Sequence, residues 1–435
     1  MDKILGIRRE DKNQWERRVP LIPEDVRELK EKYGIKTIVQ PSKIRIFPDE
    51  EFEKAGAEIN EDLGAASVVL AVKEIPIPLF QKNKTYVFFS HTVKGQDYNM
   101  GMLKHMMDLK CNLIDYERVV NEKHQRLIFF GKYAGLAGMI EVLHAYGRKL
   151  KLQGYDTPLV KIKQPYEYGT VENAKKEIEA IGREIDEVGL PVELAPYVFG
   201  FAGYGNVSRG AQEIFDLLPH KVISANILDE MYENFSLDNL NFYKVVFSED
   251  DIVRPKQGEF VLQDYYDHPE NYTPVFERYL HRIEVLINGI YWSEAYPRLV
   301  TKKYLENETV LRSNLKLKVI GDISCDINGG IEITHKITKP DVPTFTYFAN
   351  EDRFEDGTQR LGVTVMAVDN LPCEFSRASS RAFSKVLKEY VDNMVSTDFN
   401  TDFANLALST PMRKALVLHH GEFTPDYLYM KRYLK

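Results

Sequence analysis

Three short apolar segments in the first third of this 435-residue chain, residues 67–72, 86–89 and 113–116, constrain its fold most strongly. Continuous apolar runs of this length predict buried strands of a parallel sheet. Ligands of open α/β sheets bind beyond the carboxyl ends of the strands, so side chains at three such ends can meet in one crevice. The side chains that follow the segments are Lys73 and Glu74, then His91, then Glu117. These groups suit proton transfer to a carbonyl or an imine, and we therefore predict an enzyme.

The bulk composition excludes several other classes of protein. A hydrophobic content of 44% and a charged content of 28% are typical of a soluble globular chain, and its length predicts two or three domains. The net charge of -8, without a basic block, argues against a nucleic-acid partner. Residues 1–9 lack the apolar core of a signal peptide, and no apolar run approaches the length of a membrane helix. We expect a cytoplasmic protein without a membrane partner.

The cysteines give no sign of a metal site. Cys111, Cys325 and Cys373 are scattered and lack Cys-x-x-Cys spacing, which is typical of a reducing compartment. The chain contains neither a His-Glu-x-x-His pair nor a Walker sequence, so no bound metal and no P-loop is predicted.

A first α/β unit is predicted to end near Phe130, with an early helix that begins at Pro23 and stops at Gly34. Residues 131–150 then predict a long helix that carries Gly135 and Gly138 close to one face. Glycine destabilises a helix interior, so this pair indicates close approach by either a ligand or a neighbouring backbone. Both interpretations satisfy the same demand for a small residue.

A second α/β unit begins with the predicted strand 197–202 and continues through a glycine-rich turn into a helix. Further strands are predicted at 221–225, 242–247, 284–287 and 315–320, which together make a doubly wound sheet. The last hundred residues predict a strand at 362–368 and a long helix at 376–395.

The turn after residues 197–202 carries the signal for a dinucleotide. Glycine at 203 and 205 permits a tight turn and lets the backbone approach a pyrophosphate at the helix amino end. The third glycine of the usual pattern is replaced by Ser208. The residues predicted to bind the cofactor here are Gly203, Gly205, Asn206, Val207 and Ser208, with Gly135 added from the long helix.

The next strand along the chain, near residues 222–226, lacks the acidic residue that binds the ribose hydroxyl of NAD. Asp229 and Glu230 come slightly later and fit a following helix. The missing acid favours NADP, with Lys221 or Arg209 as candidates for its 2′-phosphate; NAD remains an alternative.

Motifs in a fixed order resemble a known family. They occupy residues 8–11, 15–23, 40–42, 71–74, 88–96, 203–211, 288–292, 321–324 and 368–372. In this order they resemble the lysine-ketoglutarate reductase half of aminoadipic semialdehyde synthase, over essentially the whole chain. The chain is more distantly similar to the lysine-forming saccharopine dehydrogenases and to alanine dehydrogenase.

The resemblance implies two Rossmann-like, doubly wound α/β domains, the first of them discontinuous. Residues 1–140 plus 330–435 would form the substrate domain, and residues 141–329 the dinucleotide domain. The implied reaction condenses lysine with 2-oxoglutarate and reduces the resulting imine with NADPH or NADH to saccharopine. A homo-oligomer is compatible with the sequence.

The resemblance also implies roles for individual residues. Lys73 and His91 match the acid–base pair of the family, and Glu74 and Glu117 match its flanking carboxylates. Arg18 matches the arginine that binds the keto-acid carboxylate, with Arg17 and Arg9 as alternatives, and Gln96 is a further substrate contact. Asp322 matches an aspartate near the nicotinamide.

Three other functions stay open. The first is the reverse reaction, catalysed by an NAD-dependent, lysine-forming saccharopine dehydrogenase. The second is an alanine-dehydrogenase-like enzyme acting on pyruvate and ammonia. The third is a non-catalytic nucleotide-binding subunit similar to the soluble part of transhydrogenase, in which Lys73 and His91 would be dispensable.

Overall fold

The computed structural model describes residues 3–228, 230, 238–308 and 315–434. It divides the chain into two compact units. The first unit consists of Met1–Phe130 and Ser376–Lys435, and the second of Gly131–Phe375. Each unit has its own sheet and its own buried apolar core.

The strands are numbered along the chain. They are β1 Ile4–Ile7, β2 Lys36–Val39, β3 Glu58–Ile59, β4 Val68–Leu70, β5 Thr85–Phe88, β6 Asn112–Asp115, β7 Tyr197–Ala202, β8 His220–Ile223, β9 Phe242–Phe247, β10 Val253–Pro255, β11 Tyr272–Pro274, β12 Val285–Asn288, β13 Val319–Asp322, β14 Thr344–Phe348, β15 Arg353–Asp356, β16 Val363–Met366, β17 Leu416–His419 and β18 Glu422–Phe423.

The α-helices of the described residues are numbered in the same way. They are α1 Pro23–Tyr33, α2 Asp49–Lys54, α3 Asp97–Asp108, α4 Gly131–Leu152, α5 Val171–Val188, α6 Asn206–Phe215, α7 Glu249–Ile252, α8 Leu262–Asp267, α9 Lys302–Glu306, α10 Ser376–Ser396 and α11 Thr410–Lys414.

Local sequence explains where several helices begin and end. The helix α1 starts with Pro23 in its first turn, carries acidic residues there and basic residues in its last turn, and stops at Gly34 with φ +69°. This arrangement follows the capping preferences and the helix dipole. The helix α5 starts where the Thr170 side chain accepts a hydrogen bond from the backbone of Asn173.

The first unit is built on an eight-stranded sheet in the order β3-β2-β1-β4-β5-β6-β17-β18. The strands β1 to β6 are parallel, and the late strand β17 pairs antiparallel with β6. The carboxyl ends of β1, β4, β5 and β6 therefore lie side by side at one edge of the sheet. Buried side chains of α10, including Phe383, Leu387 and Val391, complete the core of this unit.

The second unit has an eight-stranded sheet in the order β8-β9-β7-β12-β13-β16-β14-β15. The strand directly beside β7 is β9, and β8 lies outside β9. The strands from β8 to β16 in this order are parallel, while β14 and β15 add an antiparallel hairpin. The helix α4 packs closely against α6 in this unit.

The predicted fold class is confirmed, because both units are α/β with a largely parallel sheet. The domain boundaries differ from the predicted ones. The long helix α4 belongs wholly to the second unit, and the chain does not return to the first unit near residue 330. The physical reason is that β16 pairs with β13 and β14 pairs with β16, so residues 344–366 extend the second sheet.

Candidate active site

The acid–base residues of the first unit lie beyond the carboxyl ends of neighbouring parallel strands. Lys73 and Glu74 follow β4, and His91 follows β5, which pairs directly with β4. This is the edge at which parallel sheets bind ligands. The predicted convergence of these two strand ends is therefore present in the fold.

A hydrogen bond joins the two strand ends. Nδ1 of His91 lies 2.6 Å from Oε1 of Glu74. Burial alone would raise the pKa of the Glu74 carboxyl, but the hydrogen bond and the charge of His91, with the charge of Lys12, hold this pKa well below its usual range. A carboxylate on Nδ1 fixes the orientation of the imidazole and leaves the other ring nitrogen for chemistry.

The backbone at His91 is strained. This residue has φ +48°, in the left-handed region that residues other than glycine seldom adopt. The buried side chain of Asn99 donates a hydrogen bond of 2.9 Å to the carbonyl oxygen of Ser90 and so helps to hold the turn. Strain maintained by surrounding contacts is typical of functional sites.

A carboxylate binds the backbone at Lys73. The side chain of Glu10, which follows β1, accepts hydrogen bonds from the backbone N–H groups of Val72 at 2.6 Å and Lys73 at 2.9 Å. Burial and the nearby charge of Glu16 raise the pKa of Glu10 to about 7. Glu10 therefore fixes the main chain at the end of β4.

The side chain of Lys73 lies in surroundings that disfavour its charge. Burial, followed by the positive charges of Arg18 and Lys12, lowers the pKa of Lys73. Within the part of the chain that the structure describes, no carboxylate forms an ion pair with its ammonium group. A lysine with a lowered pKa can serve as a proton acceptor nearer to neutral pH.

Arg18 is buried and already holds a carboxylate. Its Nε and Nη2 atoms donate to the two oxygens of Glu16 at 2.7 and 2.5 Å. Its guanidinium group also stacks 4.2 Å from the ring centre of Phe130. The predicted binding of a keto-acid carboxylate would thus have to compete with Glu16, and that role stays a prediction.

The end of β6 supports the turn at His91. The buried carboxylate of Asp115 accepts hydrogen bonds from the backbone N–H and the hydroxyl group of Ser90. Glu117, two residues further on, forms long ion pairs with Lys94 at 3.6 Å and Arg126 at 3.9 Å. Among the described residues, no hydrogen bond or ion pair joins Glu117 to Lys73 or His91, so its predicted role stays a prediction.

The other predicted substrate residues of the first unit are exposed or half-buried. Arg17 is exposed and donates to the carbonyl oxygen of Ile44 at 3.0 Å. Arg9 forms an ion pair with Glu61. Gln96 precedes α3, and its side chain accepts a hydrogen bond from the backbone of Lys94 at 3.3 Å. These contacts do not show whether the three residues bind substrate, so that role stays a prediction.

In the second unit, the glycine-rich turn connects β7 to α6 as predicted. Gly203 has φ +90°, and an added Cβ there would lie 2.5 Å from the Ile290 side chain. At Gly205 an added Cβ would meet no atom within 4 Å, and no side chain of the described residues caps α6. The open space faces the uncapped amino end of a helix, which fits a dinucleotide pyrophosphate.

Ser208, which stands in place of the third glycine, lies in the first turn of α6 next to the end of β12. Ser208 is buried, and its backbone nitrogen would lie 3.4 Å from a Cβ added to Gly289 at the end of β12. The side chain of Val207 also lies against Gly289. The absence of a side chain at Gly289 therefore lets the end of β12 and the first turn of α6 approach each other.

Gly135 serves the packing of α4 on α6. An added Cβ would lie 2.7 Å from the nitrogen of Ala211 and 2.9 Å from Cα of Gly210, and it would overlap the carbonyl oxygen of Val207. Of the two interpretations of this glycine, the structure supports the close helix crossing. Gly135 is therefore reassigned from cofactor binding to helix packing.

Asp322 lies at the end of β13 in a buried hydrogen-bond network. It accepts hydrogen bonds from the Asn288 amide at 2.9 Å and the Thr334 hydroxyl at 2.6 Å. Burial raises its pKa to about 6. The network ties the ends of β12 and β13 together; a contact of Asp322 with the nicotinamide stays a prediction.

The charged residues near β8 do not form an obvious phosphate site. Lys221 forms an ion pair of 2.5 Å with Asp238. Arg209 is exposed on α6, and Asp229 lies outside the described residues.

The described residues contain no group of three or more His, Cys, Asp and Glu side chains suited to a metal ion. Over the same residues, every helix is too short or too polar to cross a bilayer.

Sequence reasoning missed the buried carboxylates that support the site. Glu10, Glu16 and Asp115 are at most 6% exposed, and each holds a neighbouring active-site segment. Glu10 and Asp115 stand at the ends of β1 and β6, so the strand-end criterion applied to β4 and β5 would have found them.

Comparison with known proteins gives matches in both parts of the chain. Residues 6–137 match the alanine dehydrogenase/PNT N-terminal domain, and residues 273–426 match the alanine dehydrogenase/PNT C-terminal domain. Together the two models of this family cover more than half of the chain.

Curated relatives extend the similarity to almost the whole sequence. The chain is 36% identical over 99% of its length to an alpha-aminoadipic semialdehyde synthase of Arabidopsis thaliana, covering 42% of that protein. It is 33% identical over 99% of its length to the mitochondrial enzyme of that name from Mus musculus, covering 48% of it. The chain thus spans less than half the length of these relatives. It is 26% identical over 88% of each chain to a saccharopine dehydrogenase [NAD(+), L-lysine-forming] of Neurospora crassa.

Solved structures support the fold. An L-alanine dehydrogenase matches with a TM-score of 0.62 and 18% identity, over 99% of this chain and 100% of that one. A transhydrogenase from Sinorhizobium meliloti matches with a TM-score of 0.56 and 16% identity, over 97% and 100%. The family models and the curated relatives together support an amino-acid oxidoreductase that binds a nicotinamide dinucleotide. With both of its domain models matched in order along the sequence, the chain belongs to the alanine dehydrogenase/PNT family.

Proposed function

We propose that this protein condenses lysine with 2-oxoglutarate and reduces the product to saccharopine with a reduced nicotinamide dinucleotide. The observation that carries the proposal is the pair of His91 and Glu74 beside the half-buried Lys73, at the ends of adjacent parallel strands. The similarity to alpha-aminoadipic semialdehyde synthase over 99% of the chain supports this choice of substrates. Because the chain matches less than half of that relative, the proposal covers only the formation of saccharopine.

The first steps of the reaction need groups that move protons. The ε-amine of lysine must lose its proton before its nitrogen bonds to the keto carbon, and the resulting hydroxyl must gain a proton to leave as water. Lys73, with its lowered pKa, would accept the first proton, and His91, oriented by Glu74, would deliver the second. A reduced nicotinamide dinucleotide, when bound, would supply the hydride that reduces the imine.

The second unit would hold the cofactor through the turn at Gly203 and Gly205 and the amino end of α6. The sequence-based preference for NADP depended on the lack of an acidic residue near β8. The strand that lies beside β7 in the sheet is β9. A cytoplasmic location and a homo-oligomeric state stay predictions.

The test is consumption of reduced nucleotide by the purified protein, with lysine and 2-oxoglutarate together and each alone. NADH and NADPH are assayed in parallel, and mass spectrometry identifies saccharopine. We expect consumption only with both substrates. Lys73→Met should abolish turnover, whereas Lys82→Met, which changes an exposed lysine of the same unit, should leave it unchanged.

The other outcomes identify the competing functions. Faster oxidation of saccharopine than its formation would favour the lysine-forming direction, in keeping with the Neurospora crassa relative. Turnover with pyruvate and ammonia alone would indicate an alanine-dehydrogenase-like enzyme. Nucleotide binding without turnover in any mixture would favour a non-catalytic subunit.

A further inference from the structure

The order of strands in the second sheet determines which residues lie next to the glycine-rich turn. The chain runs from β7 through α6 to β8, but β9 is the strand that pairs with β7. Ala202 is in register with Phe247, and the N–H of Gly203 donates to the carbonyl oxygen of Phe247 at 3.0 Å. The residues after β9 therefore occupy the place that discriminates between dinucleotides in such sheets, beyond the strand beside the first one.

Three acidic residues follow β9 directly, namely Glu249, Asp250 and Asp251. Asp251 caps α7, because its carboxylate accepts from the backbone N–H and the hydroxyl group of Ser248, both at 3.0 Å. Asp250 is exposed and accepts from the same hydroxyl at 2.5 Å. These local contacts account for two of the three carboxylates.

Glu249 differs from its neighbours because it lines a cavity. The cavity has a volume of about 280 Å³ and is also lined by Gly203, Gly205 and Gly289. The hydroxyl group of Tyr266 donates to Oε1 of Glu249 at 2.7 Å and orients the carboxylate. Glu249 therefore shares one cavity with the turn expected to approach the pyrophosphate.

The surroundings of this cavity disfavour an additional phosphate. Among the described residues, its lining includes neither lysine nor arginine. Lys221 is tied to Asp238. A 2′-phosphate would thus meet the carboxylate of Glu249 without a cation from the cavity wall, and like charges brought together cost free energy.

We propose that Glu249 binds the ribose hydroxyls of the adenosine half of the cofactor and makes this protein select NAD(H) over NADP(H). A carboxylate accepts hydrogen bonds from the 2′-hydroxyl of NAD, whereas the 2′-phosphate of NADP offers it no donor and repels it. Selection by Glu249 concerns nucleotide binding. The inference therefore rests on the proposed function only in that the selected nucleotide is the one consumed by the proposed reaction.

The test is direct calorimetric titration of the purified full chain with NADH and with NADPH, in the absence of substrates. We expect the Kd for NADH to be lower by about tenfold or more. Glu249→Gln removes the charge at nearly constant size and should reduce this ratio several-fold. Glu259→Gln, at an exposed position of the same unit, is the matched control and should leave the ratio unchanged.

The outcomes distinguish a failure of this inference from a failure of the proposed reaction. A lower Kd for NADPH, or an unchanged ratio in Glu249→Gln, would overturn the inference even if lysine and 2-oxoglutarate are turned over. Preference for NADH without turnover of those substrates would overturn the proposed reaction and leave the inference standing. Failure to bind either nucleotide would overturn both.

Discussion

A side-chain hydrogen bond between Glu74 and His91 joins residues that follow two neighbouring strands of the first sheet. The Glu74 carboxylate stays ionised at neutral pH because its pKa is held below the usual range. Its ion pair with Lys12 is long, at 3.4 Å, and adds little stability at a partly exposed position. Glu74 thus matters for the orientation of His91 more than for folding.

Replacing Glu74 by glutamine should therefore lower activity without unfolding the protein. We expect Glu74→Gln to reduce kcat by about 10-fold to 100-fold, because His91 loses its charged partner. The thermal midpoint should change little. Steady-state kinetics and thermal unfolding check both statements, with Glu53→Gln at an exposed position as control. A variant with unchanged kcat would show that Glu74 does not orient the histidine.

A second residue-scale feature is a pair of buried carboxyl groups in the second unit, Glu141 on α4 and Glu374 after β16. Burial raises the pKa of Glu141 to about 7, and burial together with Glu141 raises the pKa of Glu374 well above its usual value. Glu141 also accepts a hydrogen bond from the Gln164 amide at 3.1 Å. The folded protein therefore holds protons here that the unfolded chain would release.

This pair should make stability depend on pH. Since the folded pKa of Glu141 is raised, its contribution is fully present below the pKa of the unfolded chain and is lost as the pH rises to about 7. We expect Glu141→Gln to reduce the fall in unfolding free energy between mildly acidic and mildly alkaline pH by on the order of 2 kcal/mol. Denaturant titrations across that range test this, with the exposed Glu187→Gln as control. Equal pH dependence in both proteins would contradict it.

At the scale of elements, the crossing of α4 on α6 depends on the absence of side chains at Gly135 and Gly210. An added Cβ at Gly210 would overlap the carbonyl oxygen of Lys132 on α4 and lie 3.2 Å from Cα of Gly135. The two backbones are therefore in direct contact, and α6 begins at the glycine-rich turn. Any separation of the helices would also move that turn.

We expect Gly135→Ala to destabilise the protein by about 1–3 kcal/mol, because the backbone of α6 cannot yield as a side-chain end could. Nucleotide affinity should fall as well. Gly101→Ala is the matched control, since Gly101 lies inside α3 with no atom within 4 Å of an added Cβ. It should stabilise the protein by roughly 0.5–1 kcal/mol. Chemical denaturation of both variants measures the difference, and equal effects would refute the close crossing.

Local patterns predicted β4, β5 and β6 of the first sheet and the parallel strands of the second, but β1 of the first sheet was not predicted. Strands β7 and β9 have the bounds predicted from their apolar runs, and α1 ends at the predicted glycine. The hairpin β14–β15 was missed. The strand order was not predictable either, because the insertion of β9 between β7 and β8 depends on contacts distant in sequence.

The candidate site also combines contacts that local sequence predicts with contacts that depend on packing. The pair of His91 and Glu74 follows from strand ends that any reader of the sequence can locate. The pairing of Arg18 with Glu16 does not, because the burial of both charges depends on packing against residues such as Phe130. Arg18 is only 4% exposed, which its neighbours in sequence do not reveal.

At the scale of the whole molecule, the first unit is assembled from two segments separated by the entire second unit. The later segment supplies β17, which covers the edge of β6, and α10, whose buried side chains complete the core. The second unit draws its sheet and core from one continuous segment. The first unit therefore depends on residues 376–435, whereas the second unit does not include them.

Removing residues 376–435 should unfold the first unit selectively. The edge of β6 would lose its partner, and the core would lose Phe383, Leu387 and Val391. We expect limited proteolysis of the truncated protein to cleave residues 1–130 rapidly while residues 131–375 stay protected. The full chain, treated in parallel, is the control. Protection of residues 1–130 in the truncated protein would contradict this dependence.

The two-segment construction of the first unit also sets an order of events during synthesis. The second unit is complete once residue 375 has left the ribosome, whereas β6 waits for β17 until residues 416–419 emerge. Over that interval the nascent chain exposes an unpaired strand edge and part of an apolar core, which are the features that chaperones bind. The residues that carry Lys73 and His91 are thus made early but reach their final surroundings last.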